Sequence, residues 1–373
     1  MGNQTIKKHD YIDAIRGIAI ILVVLTHSSQ YVKPVSDFLI RIMAEGARGV
    51  QLFYVASAVT LCMSWAARKS NEINPIRNFY LRRFFRIAPM FYLAIVGYLA
   101  LNGLAATYWA PNGIEWWFIP VTALFLHGFH PETINSVVPG GWSIAVEMTF
   151  YLVFPLLMRF RNLWLYIALF VVVVLLQRWN APTAAKLFAY PPEQAYMTVN
   201  FSALNFISQF PVFIMGIVAY LFLKRERVRS LKMFAIGAPL LCFFGYKFWV
   251  FSLWPVTHDV YTGAMFAVFL VFVAYYPMRL LVNKVTVTLG KLSFSMYLTH
   301  FAVLNVLAKL GFDKFLGGGN AESFLYFLTV LAIAAAVSGI TYTFIEKPGV
   351  ALGRHLIDRL EKTKATSTSL IPS

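Results

Sequence analysis

Charge is scarce in this chain. Asp, Glu, Lys and Arg together make up 13% of 373 residues, and acids are the scarcest, 16 against 32 Lys plus Arg. With 59% hydrophobic residues, 17% aromatic residues and a mean hydropathy of +0.66, a water-soluble domain is excluded, because so little polar material cannot cover its surface. Cysteine is nearly missing too. Cys62 and Cys242 both lie inside apolar stretches, which argues against a disulfide framework or a thiolate metal site. The glycines at 317–319 lack a phosphate-loop signature, Ser143 lacks a nucleophile-elbow pattern, and no internal repeat or soluble second domain is visible. His127 and His130, in the string HGFH, have the spacing of metal ligands but no third ligand, so no metal is expected.

What the chain does contain is long apolar runs. A helix crosses about 30 Å of hydrocarbon in roughly 20 residues. Runs of about that length lie at 12–30, 49–66, 87–105, 142–159, 163–178, 205–223, 231–250, 261–277, 286–308 and 324–345. An all-α, polytopic membrane protein with a bundle of about ten transmembrane helices is therefore expected. The shorter apolar stretch near 116–129, flanked by Pro120 and Gly128, reads as re-entrant or interfacial. The first run carries Asp13, Arg16 and His27 and has no small-residue cleavage site, so it is expected to stay as a helix.

The net charge of +16 raises the question of nucleic acid, but the basic residues fall in short clusters in every second loop, as orientation signals do. No nucleic acid partner is expected. Membrane lipids are the surroundings, and the positive-inside rule places both termini of a multi-pass protein in the cytoplasm. Two stretches on the other side, 106–141 and 179–204, are rich in aromatics, Pro and Asn and are suited to roofing a cavity. Residues 1–346 form the membrane domain, and 347–373 read as a cytoplasmic C-terminal tail, partly disordered. Oligomeric state is not legible.

Charges inside spanning helices cost several kcal/mol on insertion scales and so mark function by default. Arg16 and His27 are eleven residues apart, about three turns, hence on one side of the first helix and roughly 16 Å apart along it. Arg16 alone reads equally well as a snorkelling residue, and His27 as a polar helix contact. Glu147, in GGWSIAVEMTFYLVFP, sits at a depth like that of His27 and is suited to orient its imidazole. In LRRFFRIAP, at 81–89, Arg83 and Arg86 share a helix face and suit phosphate, though basic residues there also serve as topology signals.

Six strings carry a resemblance: YIDAIRGIAIILVVLTH (11–27), GARGVQLFYVASAVTL (46–61), YLRRFFRIAP (80–89), GGWSIAVEMTFYLVFP (140–155), LGKLSFSMYLTH (289–300) and FIEKPG (344–349). Together they resemble the acyltransferase 3 family of integral membrane O-acyltransferases, which includes O-antigen acetylases. The resemblance implies an enzyme that moves an acyl group, commonly acetyl, from cytoplasmic acyl-CoA to a hydroxyl of an envelope glycan or lipid-linked glycan such as O-antigen. Acetyl-CoA would be a co-substrate, with no metal. It implies catalysis by His27, with Glu147 as orienter, and donor binding by Arg16, Arg83 and Arg86. Asp13, Trp142, Ser143, Tyr297 and His300 are expected to line the cavity. The family pattern leads one to expect an acid at 51 and a glycine at 58, where Gln51 and Ala58 stand. A secondary transporter or exporter of a lipid-linked sugar or small metabolite also carries a few buried charges, but neither inverted repeats nor helices broken at midplane are found.

Overall fold

The structure, a computed structural model, describes residues 10–160, 162–224, 236–242 and 258–369. Its helices are α1 (Asp10–Tyr31), α2 (Asp37–Glu45), α3 (Gly49–Arg68), α4 (Pro75–Asn102), α5 (Phe118–Ala123), α6 (Gly141–Leu157) and α7 (Leu163–Leu187). They continue with α8 (Tyr196–Leu204), α9 (Phe206–Lys224), α10 (His258–Tyr275), α11 (Lys284–Lys309), α12 (Phe312–Leu316), α13 (Asn320–Thr341) and α14 (Lys347–Ser369).

The chain is a polytopic membrane protein whose elements, among the described residues, are all helical. Among the described residues seven helical stretches are long and apolar enough to cross a membrane, and α6 is a shorter apolar helix. Nine of the ten expected runs coincide with described helices. The tenth, at 231–250, lies outside the described residues except for 236–242, so ten remains an expectation. The stretch at 116–129 is broken into α5, six residues long, and a 3-10 turn at His127–Phe129; about 9 Å of helix cannot cross.

Two boundaries differ from the sequence reading. α4 starts at Pro75, well before 87, because the polar LRRFFR segment continues the same helix through Pro89. The expected tail is also a helix: α13 passes through a π-turn at Tyr342–Glu346 into α14. Gly349 and Gly353, one turn apart, let α14 lie directly on Phe85 and Pro89 of α4. Glu361 then holds α14 to the start of α4, accepting from the Ile73 and Asn74 amides (2.7 and 3.3 Å), Arg77 (3.1 Å) and Asn78 (3.0 Å).

The two aromatic stretches join at one end of the bundle, where Tyr108 stacks on Tyr196 and accepts from Asn200 at 3.0 Å. Beneath them α3, α9 and α10 meet around a partly buried carboxylate. Asp259 pairs with Arg48 and accepts from the amides of Gln51 (3.2 Å) and Gln209 (3.0 Å). The family-like acid at 51 is thus replaced by an amide that reaches an acid on α10. Ala58 has a matching compensation, since it packs against Gly216 of α9, where a methyl group would strike it. The small residue that this crossing needs stands on the facing helix.

Candidate active site

α1 and α11 run parallel and in contact. Gly17 faces the Thr286 carbonyl and Gly290 faces the Asp13 carbonyl, each so closely that an added methyl group would overlap backbone. From this crossing each helix continues ten residues, about 15 Å, to a histidine. Gly17 and Gly290 are 273 positions apart in the chain, and so are His27 and His300. Parallel register therefore brings the two imidazoles level, with His300 Nε2 3.2 Å from His27 Nδ1.

The pair has a direction. His300 is completely buried, and its Nδ1 lies 3.1 Å from the Met296 carbonyl. A carbonyl only accepts, so Nδ1 of a neutral His300 carries the proton and Nε2 presents its lone pair. His27 then donates from Nδ1, and its Nε2 is left as the basic nitrogen. Phe301 packs on both rings, at 4.4 and 4.0 Å between centroids, and keeps water from competing for the shared proton.

Tyr297, whose ring is 5.8 Å from that of His300, donates to the Gly140 carbonyl at 3.0 Å and accepts from Ser143 at 2.7 Å. Gly140 has φ 78°, and a side chain there would strike Phe301 and Tyr297; only glycine allows α6 to begin against α11. His127 secures the same turn, its Nε2 2.9 Å from the Gly141 carbonyl, while His130 packs between Trp117 and Phe188.

The sequence reading placed Glu147 on His27, and the structure corrects this. Glu147 accepts from Ser57 at 2.5 Å and Tyr151 at 2.6 Å and lines a narrow cavity together with Arg16, Arg86, Ser143 and Tyr297. His300 takes the position beside His27 because the glycine contact fixes α11, not α6, against α1. Of the residues expected to line the cavity, Ser143 and Tyr297 do, while Asp13, Trp142 and His300 do not, and His27 is also outside its lining. Trp142 meets Tyr54 edge to face at 6.4 Å, and Asp13 lies where its carbonyl abuts Gly290. The cavity reaches Phe53 and Tyr297 and holds about 60 Å³, room for roughly four waters or a thin chain.

Arg86 stands at the other end of this cavity and also lines a wider basin of about 340 Å³ with Arg68, Arg82, Arg83 and Arg354. Arg86 pairs with the buried Glu346 at 3.4 Å, and Arg82 pairs with Glu72 at 2.6 and 3.0 Å. Arg83 lies over the rings of Phe79 and Tyr151 at about 6 Å and, among the described residues, has no ion-pair partner. Of the three arginines expected to act together, Arg16 lines the narrow cavity, Arg83 the basin, and Arg86 both.

A directed histidine pair thus packs beside Tyr297 at one end of a thin cavity whose other end meets an arginine basin, an arrangement suited to group transfer within a membrane bundle. The acyltransferase domain model of the acyltransferase 3 family matches residues 9–343; the chain belongs to that family. It is 25% identical to acyltransferase MdmB of Streptomyces mycarofaciens over 85% of this chain and 84% of that protein. It is 22% identical to a putative O-acetyltransferase of Staphylococcus aureus strain COL, over 92% of this chain and 58% of that one. O-acetyltransferase OatA of Staphylococcus aureus strain NCTC 8325 is 21% identical over 90% and 56%, so the chain spans little more than half of these staphylococcal relatives. No solved structure matches.

The His27–His300 pairing went unread in the sequence although it left a trace. Both histidines end the tripeptide LTH, and both follow a glycine by ten residues. Equal spacing on two helices predicts equal height once their glycines touch.

Proposed function

We propose that this membrane acyltransferase takes acetyl, or a similar acyl group, from cytoplasmic acyl-CoA and gives it to a hydroxyl of an envelope polysaccharide or its lipid-linked precursor on the outer side. The observation that carries the reading is the directed His27–His300 pair, packed beside the Tyr297 that lines a cavity beginning among arginines. The basic end faces the cytoplasm and receives the phosphates of the donor. The cavity of about 60 Å³ is too small for a nucleotide, which stays in the basin, and it widens when the pantetheine arm enters.

An acceptor hydroxyl gives its proton to His27 Nε2 as its oxygen attacks the thioester carbonyl. The C–S bond then breaks, and the proton passes from His27 to the departing thiolate, leaving the ester and free coenzyme A. Neutral His27 is required, so the rate falls as acid protonates it. Arg16 and Glu147 line the arm's path and fix its polar groups. His27→Ala is expected to insert normally and to lower acetyl transfer from acetyl-CoA by at least 10²-fold, the usual worth of a positioned acid or base. Mass spectrometry of surface glycans from cells with each version tests it, and undiminished acetylation by His27→Ala would overturn the reading.

A further inference from the structure

The basin has a wall that the family match does not reach. α14 begins at Lys347, past the matched segment that ends at 343, yet Val350, Arg354, Ile357 and Asp358 line the basin opposite Arg83. Those positions recur at four, seven and eight residues, which is one helix face. Gly349 and Gly353 lie on the adjoining strip and press α14 onto α4, while Glu361 clasps its far end to Arg77, Asn78 and the Ile73 amide. The helix is built to hold that face in place.

The charges of the basin do not close among themselves. Five arginines face it against Glu72 and Asp358. Glu72 is taken by Arg82 and Glu346 by Arg86. Among the described residues, Arg68, Arg83 and Arg354 have no carboxylate within ion-pair distance, and the buried Nε of Arg83 has no hydrogen-bond partner. Three guanidiniums without a salt-bridge partner around 340 Å³ call for a multiply charged anion with oxygens on several sides, the chemistry of a phosphorylated nucleotide.

We infer that α14 is part of the donor site and that Arg354, with Arg68 and Arg83, binds the phosphates of the acyl donor. This rests on the acyl-CoA reading above and assigns it a residue outside the matched domain. An anionic lipid headgroup offers the same phosphate chemistry, and the test separates the two sources.

The full chain, purified and placed in nanodiscs of phosphatidylcholine or of phosphatidylglycerol, is assayed with acetyl-CoA and with acetyl-pantetheine, which lacks the phosphates. Arg354→Gln should raise KM for acetyl-CoA about tenfold, the loss of one charge-assisted contact, and reduce the preference for acetyl-CoA over acetyl-pantetheine by the same factor. Asp358→Asn should lower KM for acetyl-CoA, a gain that misfolding cannot produce. If the preference is the same in wild type and Arg354→Gln, or if the basin variants alter stabilisation by phosphatidylglycerol but not by coenzyme A, the assignment is overturned. Should wild type use both donors equally well, only the basin assignment falls. If neither thioester is used, the acyl-CoA reading itself falls.

Discussion

A single proton decides which nitrogen of His27 is basic, and His300 sets its place. The Met296 carbonyl fixes the His300 tautomer, and the 3.2 Å contact passes that choice to His27. His300 touches no substrate in the proposed reaction and acts as a positioning residue. His300→Ala removes the imidazole partner of His27 and leaves its hydrogen bond with the Val23 backbone, a weaker hold on the tautomer, so kcat should fall about 10–100-fold, the usual cost of losing a histidine's orienting partner. His300→Gln keeps an acceptor for the Nδ1 proton and should recover much of the rate. Nitrogen NMR of the His27 ring checks this independently of turnover: the Nδ1–H signal should weaken in His300→Ala and persist in His300→Gln. A purely packing role would leave the tautomer unmoved in both. The sequence made His27, Arg16 and Glu147 visible because charge in an apolar run stands out. It did not show which of them meet, since Glu147 and His300 are equally plausible partners until α6 and α11 are placed around α1.

At the scale of elements, the site depends on one crossing. Gly17 and Gly290 allow α1 and α11 to approach until the backbone of one touches Cα of the other, and everything level with His27 follows from that contact and its register. Gly290→Ala puts a methyl group against the Asp13 carbonyl. Overpacking of this kind costs about 1–3 kcal/mol, and the helices must part at the point that sets the histidine spacing. Thermal stability and acetyl transfer should both fall. Gly97→Ala, where nothing lies within 4 Å, is the control and should leave both intact. Equal behaviour of the two variants would show that the crossing tolerates separation. Helix existence was legible from apolar runs, since length against hydrocarbon thickness is a strong constraint. α14 was not legible: its composition is polar, and what makes it a packed helix is the match of Gly349 and Gly353 to Phe85 and Pro89, a relation across more than 250 residues that no local pattern contains. The Gln51 and Ala58 departures were visible but became intelligible only through Asp259 and Gly216.

For the molecule as a whole, the separation of the arginine basin from the histidine pair matters only if the two open to opposite sides. In the proposed reaction a donor charged on its nucleotide cannot cross lipid cheaply, so only its pantetheine arm would enter the narrow cavity, which must widen to carry a thioester towards the other leaflet. The proposed reaction would then move an acyl group across the membrane without moving coenzyme A. This requires the end bearing Arg68 and Arg354 to be cytoplasmic and the loop after α12 to be outside. With Cys62 buried and Cys242 exposed, Cys242→Ser gives a quiet background for single cysteines. In intact spheroplasts an impermeant maleimide should label Gly318→Cys but not Ser70→Cys, and inside-out vesicles should reverse the result. Both positions are exposed, so access to them is decided by the side of the membrane and not by packing. Labelling of both cysteines from the same side would put the basin and the loop on one face, and a thioester arm spanning the bundle would then have nothing to accomplish.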